Sequence, residues 1–142
     1  MIDWLAAETS KHQDHVIAHV IGATVLGYFI REEALHVLLD IGFIWTIYLD
    51  GQMVLLPESP AIKELNVTSE EQRQLIHEIE LLERDGREAA DVMLITSSPV
   101  ECLVREVSLF VCDYRRKIVL QGEAANLVIE TSLTTGEIAV GL

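Results

Sequence analysis

The stretch Leu35–Leu49, "LHVLLDIGFIWTIYL", decides how this chain is read. Counting by twos gives Leu35, Val37, Leu39, Ile41, Phe43, Trp45, Ile47 and Leu49, all apolar. The other parity carries His36, Asp40, Thr46 and Tyr48, with Asp50 following. A period of two marks a strand with one face in a core. A helix over "EEALHVLLDIG" with Gly42 as its C-cap, followed by a strand from Phe43, uses the same residues, so residues 35–42 stay open between the two.

The flanks read as a meander. Upstream, "IGATVLGYFI" (Ile21–Ile30) contains Gly22, Thr24 and Gly27, which disfavour a helix interior, and is otherwise rich in β-formers. Downstream, "YLDGQMVLL" predicts a hairpin, with Asp50-Gly51 suited to a type I′ turn. "PESPAIKELNV" reads as a connection, and Glu32-Glu33 as turn residues. Asp3 is placed to cap a short first helix, and Ser10 with Gln13 has capping-box spacing for a helix from Lys11 to Val20.

"TSEEQRQLIHEIELLERDG" has capping-box spacings at Thr68/Glu71 and Ser69/Gln72. Leu75, Ile76, Ile79 and Leu82 form its apolar stripe, Glu80 and Arg84 an (i, i+4) pair, and Asp85-Gly86 its end. Beyond Asp91, "DVMLITS", "CLVREVSLFVC", "KIVLQG", "NLVIETSL" and "EIAVGL" read as strands, with Leu127, Ile129 and Leu133 facing Ile138, Val140 and Leu142. The expectation is a single α+β domain over 1–142: N-terminal helix, antiparallel meander, central amphipathic helix, then C-terminal antiparallel strands.

Composition narrows the function classes. The chain has 142 residues, half of them hydrophobic, and a mean hydropathy of +0.31, too apolar for a disordered chain. Its longest uncharged run, His15–Ile30, contains two histidines and two glycines and falls short of the ~18 apolar residues of a membrane span. "MIDWLAAE" carries Asp3 and no basic segment, which argues against a secretion signal. If "CLVREVSLFVC" is one strand, Cys102 and Cys112 lie roughly 33 Å apart at a rise of ~3.3 Å per residue, too far for a disulfide. They read as reduced, buried cysteines of a cytoplasmic protein. With 23 acids against 10 Lys and Arg, the net charge of −13 repels phosphate backbones and excludes nucleic acid as a partner. The basic cluster Arg115-Arg116-Lys117 reads as a solvated turn.

Candidate chemistry starts with "HQDHVIAH". On a helix, His12, His15 and His19 fall within about sixty degrees of one another, so their imidazoles can converge on zinc or a similar divalent transition metal. Water, Asp14, His36 or His77 can supply a further ligand, but no H-E-x-x-H pattern is present. Asp40 is an acid inside the most apolar region, and His36 four residues earlier shares its face, a candidate acid/base pair. "GATVLG" has half of a P-loop, but Tyr28-Phe29 stand where a lysine and a hydroxyl are needed, so its glycines are assigned to close packing. No nucleophile elbow or Cys–His arrangement is present.

Trp45 and Tyr48 fall near the middle of a sheet that alternation predicts to be covered on one side only, a candidate interaction surface. A chain this apolar is expected to cover such a surface by forming a homodimer. The leading expectation is therefore a small acidic domain without catalytic activity that binds a protein partner, as an adaptor, chaperone or inhibitor does. Behind it stand a metal-binding protein or metal-dependent enzyme using the three histidines, and a carrier with an apolar pocket between the sheet and the helix at 68–85, Trp45 near its mouth. The order of elements is broadly like that of small acidic secretion chaperones, a likeness of fold alone, which no motif carries and the β-rich end does not fit.

Overall fold

A computed structural model describes residues 3–142. Its elements are β1 (Leu5–Ala6), α1 (Lys11–Val20), β2 (Thr24–Arg31), β3 (Ala34–Leu39), β4 (Phe43–Tyr48), β5 (Met53–Pro57), α2 (Glu58–Lys63), α3 (Ser69–Asp85), β6 (Thr96–Cys112), β7 (Arg115–Gly122), β8 (Asn126–Ser132) and β9 (Ile138–Gly141), with a 3₁₀ turn at Gly86–Glu88. The α+β class holds. Among the described residues all nine strands join one antiparallel sheet, ordered β5-β4-β3-β2-β6-β7-β8-β9, with β1 added to β6.

The opening stretch resolves into two strands, β3 and β4, around a turn at Asp40–Gly42. Leu35, Val37, Leu39, Trp45 and Ile47 do share one core, which they form with Leu109, Ile118, Leu120, Leu127 and Ile129 from the other half of the sheet. The sheet thus curls until both halves close on the same interior, and Val16 and Val20 of α1 enter it. Ile41 belongs to the turn and is exposed.

The other face is not open. Leu38 and Ile44, on the parity read as polar, join Leu26 and Phe29 in a second core against Ile62 of α2, Leu75, Ile79 and Leu82 of α3, and Ile95. Every residue of β3 is buried. A strand with apolar residues on both parities is covered twice, and α2 with α3 supplies the second layer.

Several boundaries differ from expectation. Asp3 caps no helix; Leu5 and Ala6 pair with Val111 and Phe110 instead. The segment after Pro57 contains α2, whose first turn holds Pro60, where a missing N–H costs no helical bond. "DVMLITS" does not make its own strand: β6 begins at Thr96 and runs through Pro99. Val25 pairs with Cys102 and Gly27 with Ser97, so Pro99 sits in the residues bulged between them. Gly27 is required there, since a Cβ would lie 2.7 Å from the Thr96 carbonyl oxygen. Cys102 and Cys112 lie on this one strand and are both free.

The hairpin turns also exchange types. Between β4 and β5 a three-residue loop closes with Tyr48 N–H donating to Gln52 O, and only Gly51 takes positive φ. The two-residue loop with both φ positive falls at Glu32-Glu33 (54° and 55°), between the paired Arg31 and Ala34. Leu127 and Ile129 face inward, but in β9 only Val140 stands opposite one of them, Ile129; Ile138 pairs with Thr131, and Leu133 and Leu142 are exposed. No helix among the described residues is long and apolar enough to cross a membrane.

Candidate functional site: an acidic cleft between two helices

The site follows from how α3 is bound to the sheet. Thr68 caps it, its Oγ1 accepting from Glu71 N–H, and Gly86 ends it at φ 61°. Its buried face is Leu75, Glu78, Ile79 and Leu82, a spacing of three, one and three. Glu78 therefore replaces Ile76 in the expected stripe. The carboxylate is 0% exposed and accepts backbone N–H bonds from Met93 (2.8 Å), Leu94 (2.9 Å) and Ile95 (2.9 Å), plus Gln74 Nε2 (2.7 Å). Residues 93–95 thus give their N–H groups to Glu78 instead of to a neighbouring strand, and β6 begins only at Thr96.

Displaced from the buried stripe, Ile76 is 45% exposed and becomes part of a cleft between α2 and α3. The cleft measures about 150 Å³; Ile62, Ile76 and Ile79 give it apolar walls, and Glu58, Glu80 and Glu83 stand around it. Its lining contains no Lys, Arg or His. Glu80 lacks the helical partner expected for it, because Arg84 pairs with Asp85 at 3.3 Å. Glu58 Oε1 is buried and receives no N–H or hydroxyl donor; the polar group beside this carboxyl is Glu83, with which its protonated form shares a hydrogen bond. Burial first, and then the adjoining Glu83 carboxyl, push the Glu58 carboxyl up to about 7. Two carboxyls beside an apolar wall and without a cation form a site that gains from receiving one.

A second recess, about 120 Å³, lies on the far side of α2 and holds His36 with Thr46, Tyr48, Glu32 and Glu64. The His36 ring stacks on Phe29, with Nδ1 2.8 Å from Thr46 Oγ1 and Nε2 3.3 Å from the Arg31 carbonyl. Burial pushes its pKa below the usual histidine value. A neutral ring with both nitrogens engaged is a structural element of this wall.

Asp40 is exposed and accepts from Thr24 N–H at 2.8 Å, so His36 and Asp40 do not meet. Trp45 is 0% exposed, in the core opposite α3, which removes it both from the surface and from the mouth of any pocket beside that helix. Tyr48 is 41% exposed, in a shallow depression with Leu133. In the capped helix α1, His12 turns its Nε2 to the Met53 carbonyl at 2.8 Å, while His15 and His19 remain exposed with ring centroids 4.8 Å apart. Asp14 is bonded by Thr9. No group of three or more His, Cys, Asp or Glu among the described residues is placed to share a metal ion.

Neither Glu58 nor Glu78 was singled out. The position of Glu78 between Leu75 and Ile79 was a readable signal; for Glu58, in a segment read as a connection, there was none. No family model matches this chain, and no curated protein or solved structure matches it either.

Proposed function

We propose that this protein is a non-catalytic interaction domain that binds a basic protein segment. The observation that carries the reading is the cleft between α2 and α3, where apolar walls and the acidic side chains Glu58, Glu80 and Glu83 meet with no cation among them on a chain of net charge −13. The dispersal of the titratable groups supports it, since His36 and Asp40 each serve a local hydrogen bond instead of a shared reaction centre. The test is calorimetric titration with a lysine-rich amphipathic peptide, beside an acidic peptide of the same apolar pattern. Binding of the basic peptide alone, weakened by salt, is expected. Equal binding of both, or of neither, overturns the reading.

A second reading rests on the His15–His19 pair. Two exposed imidazoles one helical turn apart can hold zinc or a similar divalent ion between them, with water completing its coordination. Weak binding of added zinc, lost in His15→Ala, is the expected result. Zinc binding unchanged by that substitution, or none at all, removes it.

A further inference from the structure

We propose that the cleft between α2 and α3 seats a single lysine or arginine side chain of the partner, its methylene stem on Ile62, Ile76 and Ile79 and its cationic head against the Glu58 and Glu83 carboxyls. The inference rests on the reading of the protein as a receptor for a basic segment and names the subsite and the group it takes.

Size is the first argument. Small-molecule sites run to ~300–1,000 Å³, and this cleft, at about 150 Å³, is on the scale of one side chain. The second is chemical: an apolar wall beside paired carboxyls matches an amphipathic side chain, aliphatic along its stem and cationic at its tip. A bare divalent ion would leave Ile76 uncovered. The third concerns the alternative occupant, the chain's own basic cluster presented by a second copy. That cluster is already engaged: Arg115 pairs with Glu130, Arg116 donates to the Asp113 and Arg115 carbonyls, and Lys117 lies 4.8 Å over the Trp4 ring.

Binding has a proton balance. The facing titratable groups are Glu58 from α2 and Glu80 and Glu83 from α3, all acids. Near neutral pH the Glu58 carboxyl retains a share of its proton, held by burial and by Glu83. An entering ammonium or guanidinium makes that proton redundant, and it leaves to solvent. Affinity therefore rises with pH from 6 to 8 and levels off once Glu58 is ionised in the free protein.

The experiment is a titration of the full chain with N-acetyl-lysine-N-methylamide, the corresponding arginine compound, and the neutral norleucine compound, read from the methyl resonances of Ile62, Ile76 and Ile79. The two cationic probes should shift these resonances and the norleucine probe should not. Glu83→Gln should weaken the cationic probes about tenfold, the loss of one charge-assisted hydrogen bond. Glu58→Gln, which cannot release a proton, should abolish the pH dependence; an unchanged amide spectrum elsewhere shows that either variant is folded. Equal shifts with norleucine, or no shift in these methyls at tens of millimolar probe, overturn the inference. If the lysine-rich peptide binds without moving these resonances, the subsite is wrong and the broader reading stands. Should the single-residue probes bind here while the peptide does not, the subsite is right and the broader reading fails.

Discussion

Glu78 on α3 and Glu58 on the adjoining α2 are treated in opposite ways. Glu78 is fully buried and receives four N–H donors, three of them from consecutive backbone groups. Glu58 is partly buried, has an oxygen with no donor, and faces another carboxyl. A fold can keep a buried carboxylate when it supplies the hydrogen bonds that water gave. The first site is complete without any partner. The second is an acidic pair that a retained proton relieves and that, under the proposal, a bound cation relieves in its place.

Removing the first carboxylate should have the largest effect of any change considered. Glu78→Ala orphans three backbone N–H groups and opens a void in the second core, so a loss of about 3 kcal/mol is expected in urea denaturation. Glu78→Gln keeps one acceptor oxygen but turns an NH₂ group toward the same donors, and should fall between wild type and Ala. If Glu78→Ala costs no more than an ordinary surface substitution, about 0.5 kcal/mol, then residues 93–95 find other partners easily and Glu78 is not their anchor.

The Glu32-Glu33 turn repeats the contrast on a smaller scale. Glu32 Oε1 accepts from Asn66 N–H at 2.7 Å, while the Glu33 side chain has no hydrogen bond among the described residues. Both residues hold positive φ, a region costing a non-glycine residue roughly 1–2 kcal/mol. Glu33→Gly removes that strain and restores some unfolded-state entropy, for a net gain of about 0.5–1 kcal/mol. Thermal denaturation checks it: a gain for Glu33→Gly and a loss for Glu32→Gly, which also gives up the Asn66 bond. A Glu33→Gly variant that is less stable would mean that the carboxylate has a partner in solution.

These residues also mark how far the sequence could be read. Period two in Leu35–Leu49 located the inner core because strand alternation is local. Leu38 and Ile44 were the trace of the outer core, masked by His36, Thr46 and Tyr48 on the same parity. The helix at 69–85 was legible from its caps, yet one step in its stripe exchanged Ile76 for Glu78, and both the clamp and the cleft depend on that step. The histidine helix was legible too, whereas His12 is drawn to Met53, a contact across forty-one residues that no local pattern contains. Glu58 and Glu83 meet only because α2 packs on α3. Sites made by long-range contact leave little local pattern to read.

The pH dependence of stability separates the two recesses on either side of α2. Glu58 is raised from 4.5 to about 7, so between those values the folded state holds more protons than the unfolded chain. Stability from this group is therefore present at acid pH and is lost as pH rises through about 7. His36 is lowered from 6.5, so its contribution runs the other way: present above 6.5 and lost as pH falls below it. In wild type the two oppose each other on the acid side, so that each masks part of the other. Glu58→Gln should leave Tm nearly unchanged at pH 5 and raise it at pH 8, since the variant never builds the like-charge contact with Glu83. In that background the remaining fall below pH 6.5 belongs to His36, and His36→Gln should flatten it. A Tm difference between wild type and Glu58→Gln that stays constant from pH 5 to pH 8.5 would show that Glu58 titrates as an ordinary surface carboxylate, and the cleft would lose the proton that a bound cation is expected to displace.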